Sequence, residues 1–147
     1  MPDIYLKGIA LRKFWGSRRS PTGGRLVRWG APLAWMGFIF YLSSLPRIPY
    51  LEHGWYTSLR DVAGHFAVYA VLALLWERAL AAAGVARPAR WAFLIALVYG
   101  LTDEFHQSFV PGRAPDLFDV LTDAAGAAFA LWLAARWRLL RAGLAAT

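Results

Sequence analysis

The chain has 147 residues, which suits one domain, and 59% of them are apolar whereas only 17% are charged. Ordinary soluble domains carry fewer apolar and more charged residues, so the composition indicates a membrane protein. The absence of cysteine excludes a disulfide framework and a thiolate metal site.

The formal net charge of +7 would also suit a nucleic-acid ligand, but the basic residues are unevenly distributed. Seven of the sixteen precede the first long apolar stretch. A basic segment beside an apolar one is typical of contact with lipid headgroups, so we expect a bilayer and no nucleic acid as partner. The basic stretch is too long to open a signal peptide and no small-residue cleavage site follows, so we expect no signal peptide.

Four apolar segments follow, and each predicts a transmembrane helix. They cover about residues 28–45, 61–83, 88–111 and 116–140. At about 1.5 Å per residue, about 18 to 25 residues cross a hydrocarbon core of about 30 Å. A soluble all-helical domain is the alternative, but helices apolar on all sides would leave it little polar surface. The predicted fold is an all-α integral membrane protein with four transmembrane helices in an antiparallel bundle.

The basic residues also predict the orientation of these helices. Thirteen of the sixteen fall in the N-terminal segment, between the second and third helices, or at the C-terminal end. The other side has only Arg47, Arg60 and Arg113. This bias predicts that both termini are cytoplasmic. The predicted organisation is a basic cytoplasmic segment (1–27), a membrane domain (28–140) and a cytoplasmic tail (141–147).

Polar residues gather at the outer ends of the last three predicted helices, and those of each helix share one face. The three sets are Asp61, His65 and Tyr69; Asp103, His106 and Gln107; and Asp116, Asp119 and Asp123. Ionisable groups inside a bilayer are costly, so they should face the bundle interior and are candidates for function. Pairs such as His65 with Asp61, or Arg113 with Asp116, could instead serve the fold by capping helices. Gly126, Ala130 and Ala134 recur every four residues, which predicts a close helix-packing seam.

The stretch Asp103-Glu104-Phe105-His106-Gln107, followed by Pro111-Gly112-Arg113, Asp116, Asp119 and Gly126, resembles the signature of the VanZ-like family. Ser43-Ser44 at the end of the first helix and Asp61, His65-Phe66 and Tyr69 on the second resemble weaker family features. The sequence departs from the family pattern at Val62, Asp123 and Ala130, where relatives often have Lys, Asn and Gly. The resemblance implies a four-helix protein of the bacterial cytoplasmic membrane. It also implies a link to the cell envelope, because the founding member is associated with resistance to teicoplanin.

Three classes of function fit these residues. In an enzyme acting on an envelope lipid or lipid-linked precursor, His106 would be the base, Asp119 or Asp103 its orienting partner, and Arg113 a clamp for phosphate or carboxylate. Glu104 and His65 complete the candidate catalytic residues. The candidate binding residues, besides Arg113, are Gln107, Asp61, Asp116, Tyr69 and Asp123.

The second class is a non-catalytic module that binds an envelope ligand, such as a glycopeptide, or a partner helix. The third is a transporter, for which four short helices leave little room unless the chain forms an oligomer. A divalent metal such as Zn²⁺ or Mn²⁺ would suit carboxylate and imidazole ligands, but no HExxH-type motif is present, so the sequence assigns no metal ligands. We further expect His106 and Asp119 to act as one unit, since their helices are joined by a short loop.

Overall fold

The computed structural model describes residues 21–47 and 55–145, and over these ranges it consists of four helices and no strand. Helix α1 covers Pro21–Ser43, α2 covers Trp55–Ala82, α3 covers Pro88–Gln107 and α4 covers Leu117–Leu144. The prediction of an all-helical chain is confirmed. Most of the predicted basic segment (residues 1–20), residues 48–54 and the last two residues of the predicted tail lie outside the described residues.

The helix ends follow local chemistry and shift two predicted boundaries. Helix α2 begins at Trp55, earlier than predicted, because no Pro or Gly interrupts the chain between Trp55 and the apolar stretch. Helix α3 ends at Gln107 and not at Pro111, and a turn follows in which Gly112 has a φ of +76°. Asp116 is the N-cap of α4, where its side chain accepts from the N–H of Phe118 at 2.8 Å. This confirms the predicted acidic start of the fourth helix.

Helices α2, α3 and α4 pack against one another, and α1 lies mainly against α2. Helices α2 and α4 approach each other so closely that a Cβ at Gly126 would collide with the carbonyl of Phe66. Two side chains fasten α1 to its neighbours. The indole of Trp35 donates to the carbonyl of Val68 at 2.8 Å, and the hydroxyl of Tyr99 donates to that of Met36 at 2.6 Å.

Paired contacts fix the helix directions. Along α2 and α4, His65 meets Asp123 and Glu77 meets Arg138, so these helices run the same way. The last turns of α1 and α3 lie at the same end of the bundle as the first turns of α2 and α4. We call this the polar end, because it contains Ser43 to Arg47, Asp61 to His65, Asp103 to Arg113 and Asp116 to Asp123. The opposite end, which holds Arg78, Arg87, Arg90, Arg136, Arg138 and Arg141, is called the basic end.

The outer faces of the helices are apolar. On α4 they carry exposed Phe129, Trp132, Leu133, Trp137 and Leu140. Among the described helices, Leu59–Ala82 of α2 and Leu117–Leu144 of α4 are long and apolar enough to cross a membrane. A soluble protein rarely exposes contiguous apolar surface on this scale, so these two helices point to a membrane protein.

Candidate functional site

A cavity of about 160 Å³ lies at the polar end between α1, α2 and α3. Apolar and charged side chains both line it. Its polar and charged residues are Ser43, Arg47, Arg60, Asp61, His65, Tyr69, Asp103, Gln107 and Arg113. Helix α2 has no side chain at Gly64, which also faces the cavity, and nothing lies within 4 Å of the position its Cβ would take. Ile39, Leu42 and Val68 complete the wall, so the cavity combines a charged surface with an apolar one.

His65 is held between two carboxylates of α4. Its Nδ1 lies 3.0 Å from Oδ1 of Asp123, and its Nε2 lies 3.7 Å from Oδ2 of Asp119. Because an ionised carboxylate can only accept, the contact suits a tautomer of His65 that carries its hydrogen on Nδ1 and donates it to Asp123. Asp123 is 1% exposed, and this bond fixes the orientation of the ring. Gly100 of α3 leaves room for the pair, since a Cβ there would lie 3.1 Å from Oδ2 of Asp123.

Glu104 joins this group from α3. One ligand atom each from His65, Glu104 and Asp119 lie within 4.8 Å of one another. One oxygen of Glu104, Oε2, accepts from the backbone N–H of Asp116 at 2.8 Å, so Glu104 also supports the start of α4. We call these three residues together with Asp123 the His65 cluster.

Several buried oxygens at the polar end have no hydrogen-bond partner in the part of the chain that the structure describes. They are the hydroxyl of Tyr69, Oδ1 of Asp103, Oε1 of Glu104 and Oδ2 of Asp123. Buried polar atoms are nearly always paired in folded proteins, so four such atoms at one end indicate a place that receives a ligand, an ion or water.

Arg113 ties the loop between α3 and α4 to the end of α1. It donates from Nε to the carbonyl of Leu45 and from one terminal nitrogen to that of Leu42, both at 3.1 Å. Its other terminal nitrogen donates to Oε1 of Gln107 at 3.1 Å. Burial lowers the pKa of Arg113, with nearby Arg47 adding to the effect, but a guanidinium stays protonated in proteins. In the described part of the chain Arg113 thus contacts carbonyl and amide oxygens, and not Asp116, the carboxylate that the sequence allowed as its partner.

Arg47 and Gly112 add to this tie. The N–H of Arg47 donates to the carbonyl of Pro111 at 3.2 Å, and Gly112 lies directly against the carbonyl of Arg47. The guanidinium of Arg47 pairs with Asp61 of α2 at 3.0 Å. Asp61 is therefore paired with Arg47, which follows the end of α1. It is not paired with His65, although the sequence spacing also allowed that structural pair.

His106 lies apart from the His65 cluster. Its Nε2 is 3.0 Å from the hydroxyl of Ser44, and its ring stacks on Phe40 with the centroids 4.4 Å apart. The structure therefore brings His65, rather than His106, to Asp119. Gln107 and Asp103 line the cavity and bond to each other at 3.2 Å. Asp116 serves the helix cap, and Tyr69, which lines the cavity, is otherwise fully buried.

Ser44 and Arg47 were not among the predicted site residues, although both lie at the outer end of the first predicted helix. Sequence reasoning also passed over the pair formed by Glu77 and Arg138 at the basic end, where the two side chains meet at 2.6 Å. Glu77 is one of the two acidic residues on the predicted cytoplasmic side and the only one there within an apolar segment, and that isolation was the available signal for a pair.

A family model described as VanZ/LLP1 matches residues 29–140. The comparison with curated proteins and the comparison with solved structures found no match. The matched range includes all four helices apart from the first turns of α1 and the last turn of α4.

Proposed function

The chain belongs to the VanZ-like family, whose model covers about three quarters of it, and from this premise we propose that its cavity binds the headgroup of an envelope lipid or lipid-linked precursor. The observation that carries the proposal is the cavity at the polar end, whose wall contains both arginines and aliphatic side chains. Such a surface suits an amphiphile, whose charged group and first methylene groups enter together.

The proposal places all four helices across the bacterial cytoplasmic membrane. Helices α2 and α4 are apolar enough by themselves. Helix α3 carries Asp103 and Glu104, which lower its mean hydropathy, but both are buried and face the other helices. Because these carboxylates do not face lipid, α3 presents an apolar exterior of Trp91, Leu94, Val98, Leu101 and Phe105.

In this arrangement the polar end faces outward and both termini are cytoplasmic. The support is the charge distribution, with thirteen of the sixteen basic residues on the side of the termini. The cavity would then open at the outer leaflet, the side of the membrane that faces the cell envelope.

The cavity volume decides how much of a ligand it can hold. Pockets for whole small molecules have volumes of about 300–1,000 Å³, whereas this one has about 160 Å³. It suits one compact group, with the rest of the molecule outside. Arg47, Arg60 and Arg113 favour an anionic group through their positive charge, although each also contacts oxygens of its own chain. A phosphate or diphosphate headgroup is thus the proposed occupant.

The test uses the full chain in nanodiscs and a polyprenyl diphosphate as probe, with the corresponding polyprenyl alcohol for comparison. The diphosphate should bind and the alcohol should bind at least tenfold more weakly. Gly64→Leu should fill the cavity without a backbone clash and reduce diphosphate binding at least tenfold. Gly37→Leu is the matched control, because Gly37 has equal space but does not line the cavity. Equal binding of diphosphate and alcohol, or equal loss in the two variants, would contradict the proposal.

A catalytic function is the second candidate, and the geometry of His65 favours it. A histidine held by a buried carboxylate at the wall of a cavity has the arrangement of a general base. His65, rather than His106, would take that role, because only His65 lines the cavity. Mass spectrometry of the diphosphate lipid after incubation would decide. Turnover that His65→Gln abolishes and His106→Gln retains would establish an enzyme, and an unchanged lipid would leave the binding function.

The glycopeptide-resistance role implied by the sequence resemblance extends this proposal to the cell. Expression of the chain in a teicoplanin-sensitive host should then lower susceptibility, and Gly64→Leu should abolish the effect while Gly37→Leu keeps it. Unchanged susceptibility would restrict the proposal to lipid binding.

A further inference from the structure

We propose that His65, Glu104 and Asp119 form a binding site for a divalent transition-metal ion, with Zn²⁺ as the ion that fits best. This inference goes beyond the proposed function, since Glu104 and Asp119 do not line the cavity and only His65 is common to both sites. The three residues come from three different helices, α2, α3 and α4, and each offers one ligand atom within 4.8 Å of the other two.

The orientation of His65 is the first argument. Its Nδ1–H donates to the buried Asp123 at 3.0 Å, which leaves the lone pair of a neutral ring on Nε2. Histidines that bind metals almost always donate their other ring N–H to a carboxylate or carbonyl in this way. The lone pair of Nε2 lies 3.7 Å from Oδ2 of Asp119, another acceptor. With a neutral ring, two acceptors face each other and repel, and a cation between them, either a proton on Nε2 or a metal ion, turns that repulsion into attraction.

Glu104 supplies the second and independent argument. It is 5% exposed, and its Oε1 has no hydrogen-bond partner in the described part of the chain. Its Oε2 is occupied by the N–H of Asp116, which fixes the carboxylate beside His65 and Asp119. A buried carboxylate oxygen without a partner has lost its hydration with nothing in exchange, and a bound metal ion removes that cost.

The charge of the cluster points the same way. Three carboxylates, those of Glu104, Asp119 and Asp123, surround one imidazole in a region of low dielectric constant. Buried carboxylates persist when they are paired or coordinate a metal. A divalent ion would offset two of these negative charges while leaving the imidazole neutral.

The ligand set and the distances favour Zn²⁺. In a tetrahedral zinc site with bonds of about 2.1 Å, ligand atoms lie about 3.4 Å apart, close to the 3.7 Å between Nε2 of His65 and Oδ2 of Asp119. One nitrogen and two carboxylate oxygens leave a fourth position open, as in catalytic rather than structural zinc sites. Mn²⁺ is the closest competitor for such a set, and Mg²⁺ would prefer oxygen ligands alone. A metal on Nε2 uses the lone pair that a general base needs, so His65 would then be a ligand and not the base.

The test is a titration of the full chain, prepared without a polyhistidine tag and stripped with a chelator, with Zn²⁺, Mn²⁺ and Mg²⁺ followed by calorimetry. We expect one Zn²⁺ per chain, weaker binding of Mn²⁺ and none of Mg²⁺. Glu104→Gln and Asp119→Asn should each weaken Zn²⁺ binding at least tenfold, and Asp123→Asn by about 10–100-fold through the orientation of His65. The matched controls are His106→Gln and Asp61→Asn, a histidine and a carboxylate of the polar end that lie outside the cluster.

Absent or substoichiometric Zn²⁺ binding would overturn the inference, as would equal losses in the control variants. Should a cluster variant not fold, the wild-type chain loaded with Cu²⁺ provides the decision. Its electron paramagnetic resonance spectrum should show coupling to one imidazole nitrogen, and coupling to none or to several would overturn the site. Because Gly64→Leu should lose lipid binding but retain Zn²⁺, failure of the metal site and failure of the lipid proposal give different results.

Discussion

At the scale of single residues, Arg113 is a charged side chain whose guanidinium donates hydrogen bonds to oxygens of its own chain. All three of its nitrogens donate, to the carbonyls of Leu42 and Leu45 and to the amide oxygen of Gln107. Leu42 lies in the last turn of α1 and Leu45 just after it, where carbonyls lack the regular bonds of a helix interior. Arg113 therefore caps α1 from a loop that is 68 residues away from Leu45 in sequence.

We expect Arg113→Lys to lower the free energy of unfolding by about 1–3 kcal/mol, because one ammonium group cannot reach three acceptors in a fork geometry. Thermal melting in detergent would measure the loss. Arg60→Lys is the control, since the side chain of Arg60 is 66% exposed and its replacement should change stability by less than about 0.5 kcal/mol. If Arg113→Lys melts like the wild type, the cap contributes nothing.

The pair of Glu77 and Arg138 predicts an asymmetry. Glu77 is buried, whereas the side chain of Arg138 is 58% exposed. Arg138→Leu leaves the buried carboxylate of Glu77 without its cation and should lower the free energy of unfolding by about 1–3 kcal/mol. Breaking a fully buried pair costs about 3–5 kcal/mol, and the loss should be smaller here because Arg138 still reaches water. Glu77→Leu leaves an arginine that solvent can accommodate, so it should cost less. The double variant should be more stable than Arg138→Leu alone, and a simple sum of the two losses would contradict this account.

At the same scale, sequence spacing predicted which residues face the interior but not which of them meet. The periodicity of Asp119 and Asp123 on one face of α4 was sufficient to predict an inward carboxylate pair. The partner depends on the rotation of α2 and α3 about their axes, which tertiary packing sets. For that reason spacing favoured His106 as the neighbour of Asp119, whereas the structure has His65 there.

At the scale of elements, the contact between α2 and α4 depends on small residues. Gly126 and Ala130 are buried, and Gly126 lies against the backbone carbonyl of Phe66. The four-residue spacing of small side chains predicted this seam, because such spacing lets two backbones approach closely. The helix ends at Ala82 and Leu117 were also within reach of the sequence, since Gly84 and Asp116 mark them. The early start of α2 was not, because the residues between Gly54 and Asp61 mix aromatic, hydroxyl and charged side chains and carry no clear apolar period.

Gly126→Ala should destabilise the fold by more than about 1 kcal/mol, since the new Cβ meets a backbone atom that cannot move without separating the helices. Gly143→Ala in the same helix is the matched control. Nothing lies within 4 Å of its Cβ position, so alanine there should be neutral or stabilise α4 by up to about 1 kcal/mol. Melting temperatures in detergent would separate the two. Equal effects would mean that the seam tolerates a methyl group.

At the scale of the whole molecule, the charged residues gather at the two ends of the bundle, and the apolar exterior lies between these ends. The polar end contains the cavity, the His65 cluster and three arginines that already have acceptors or carboxylates nearby. The basic end carries exposed arginines such as Arg87, Arg90 and Arg136, which suit anionic headgroups of an inner leaflet. The two ends thus differ in chemistry, and the helices between them have an apolar exterior.

This division leads to a topology that can be measured at each connection. Reporter fusions after Thr147 and between α2 and α3 should report the cytoplasm, and fusions between Pro46 and Arg60 or after Gly112 should report the outside. Four crossings require this alternation, because successive helices then end on opposite sides. If only α2 and α4 crossed the membrane, the connection before α2 would lie on the same side as the C-terminus. The connection after α3 would then lie on the opposite side. The opposite pattern at every position would reverse the orientation, so that the cavity opened to the cytoplasm. That result would contradict a site for outer-leaflet precursors.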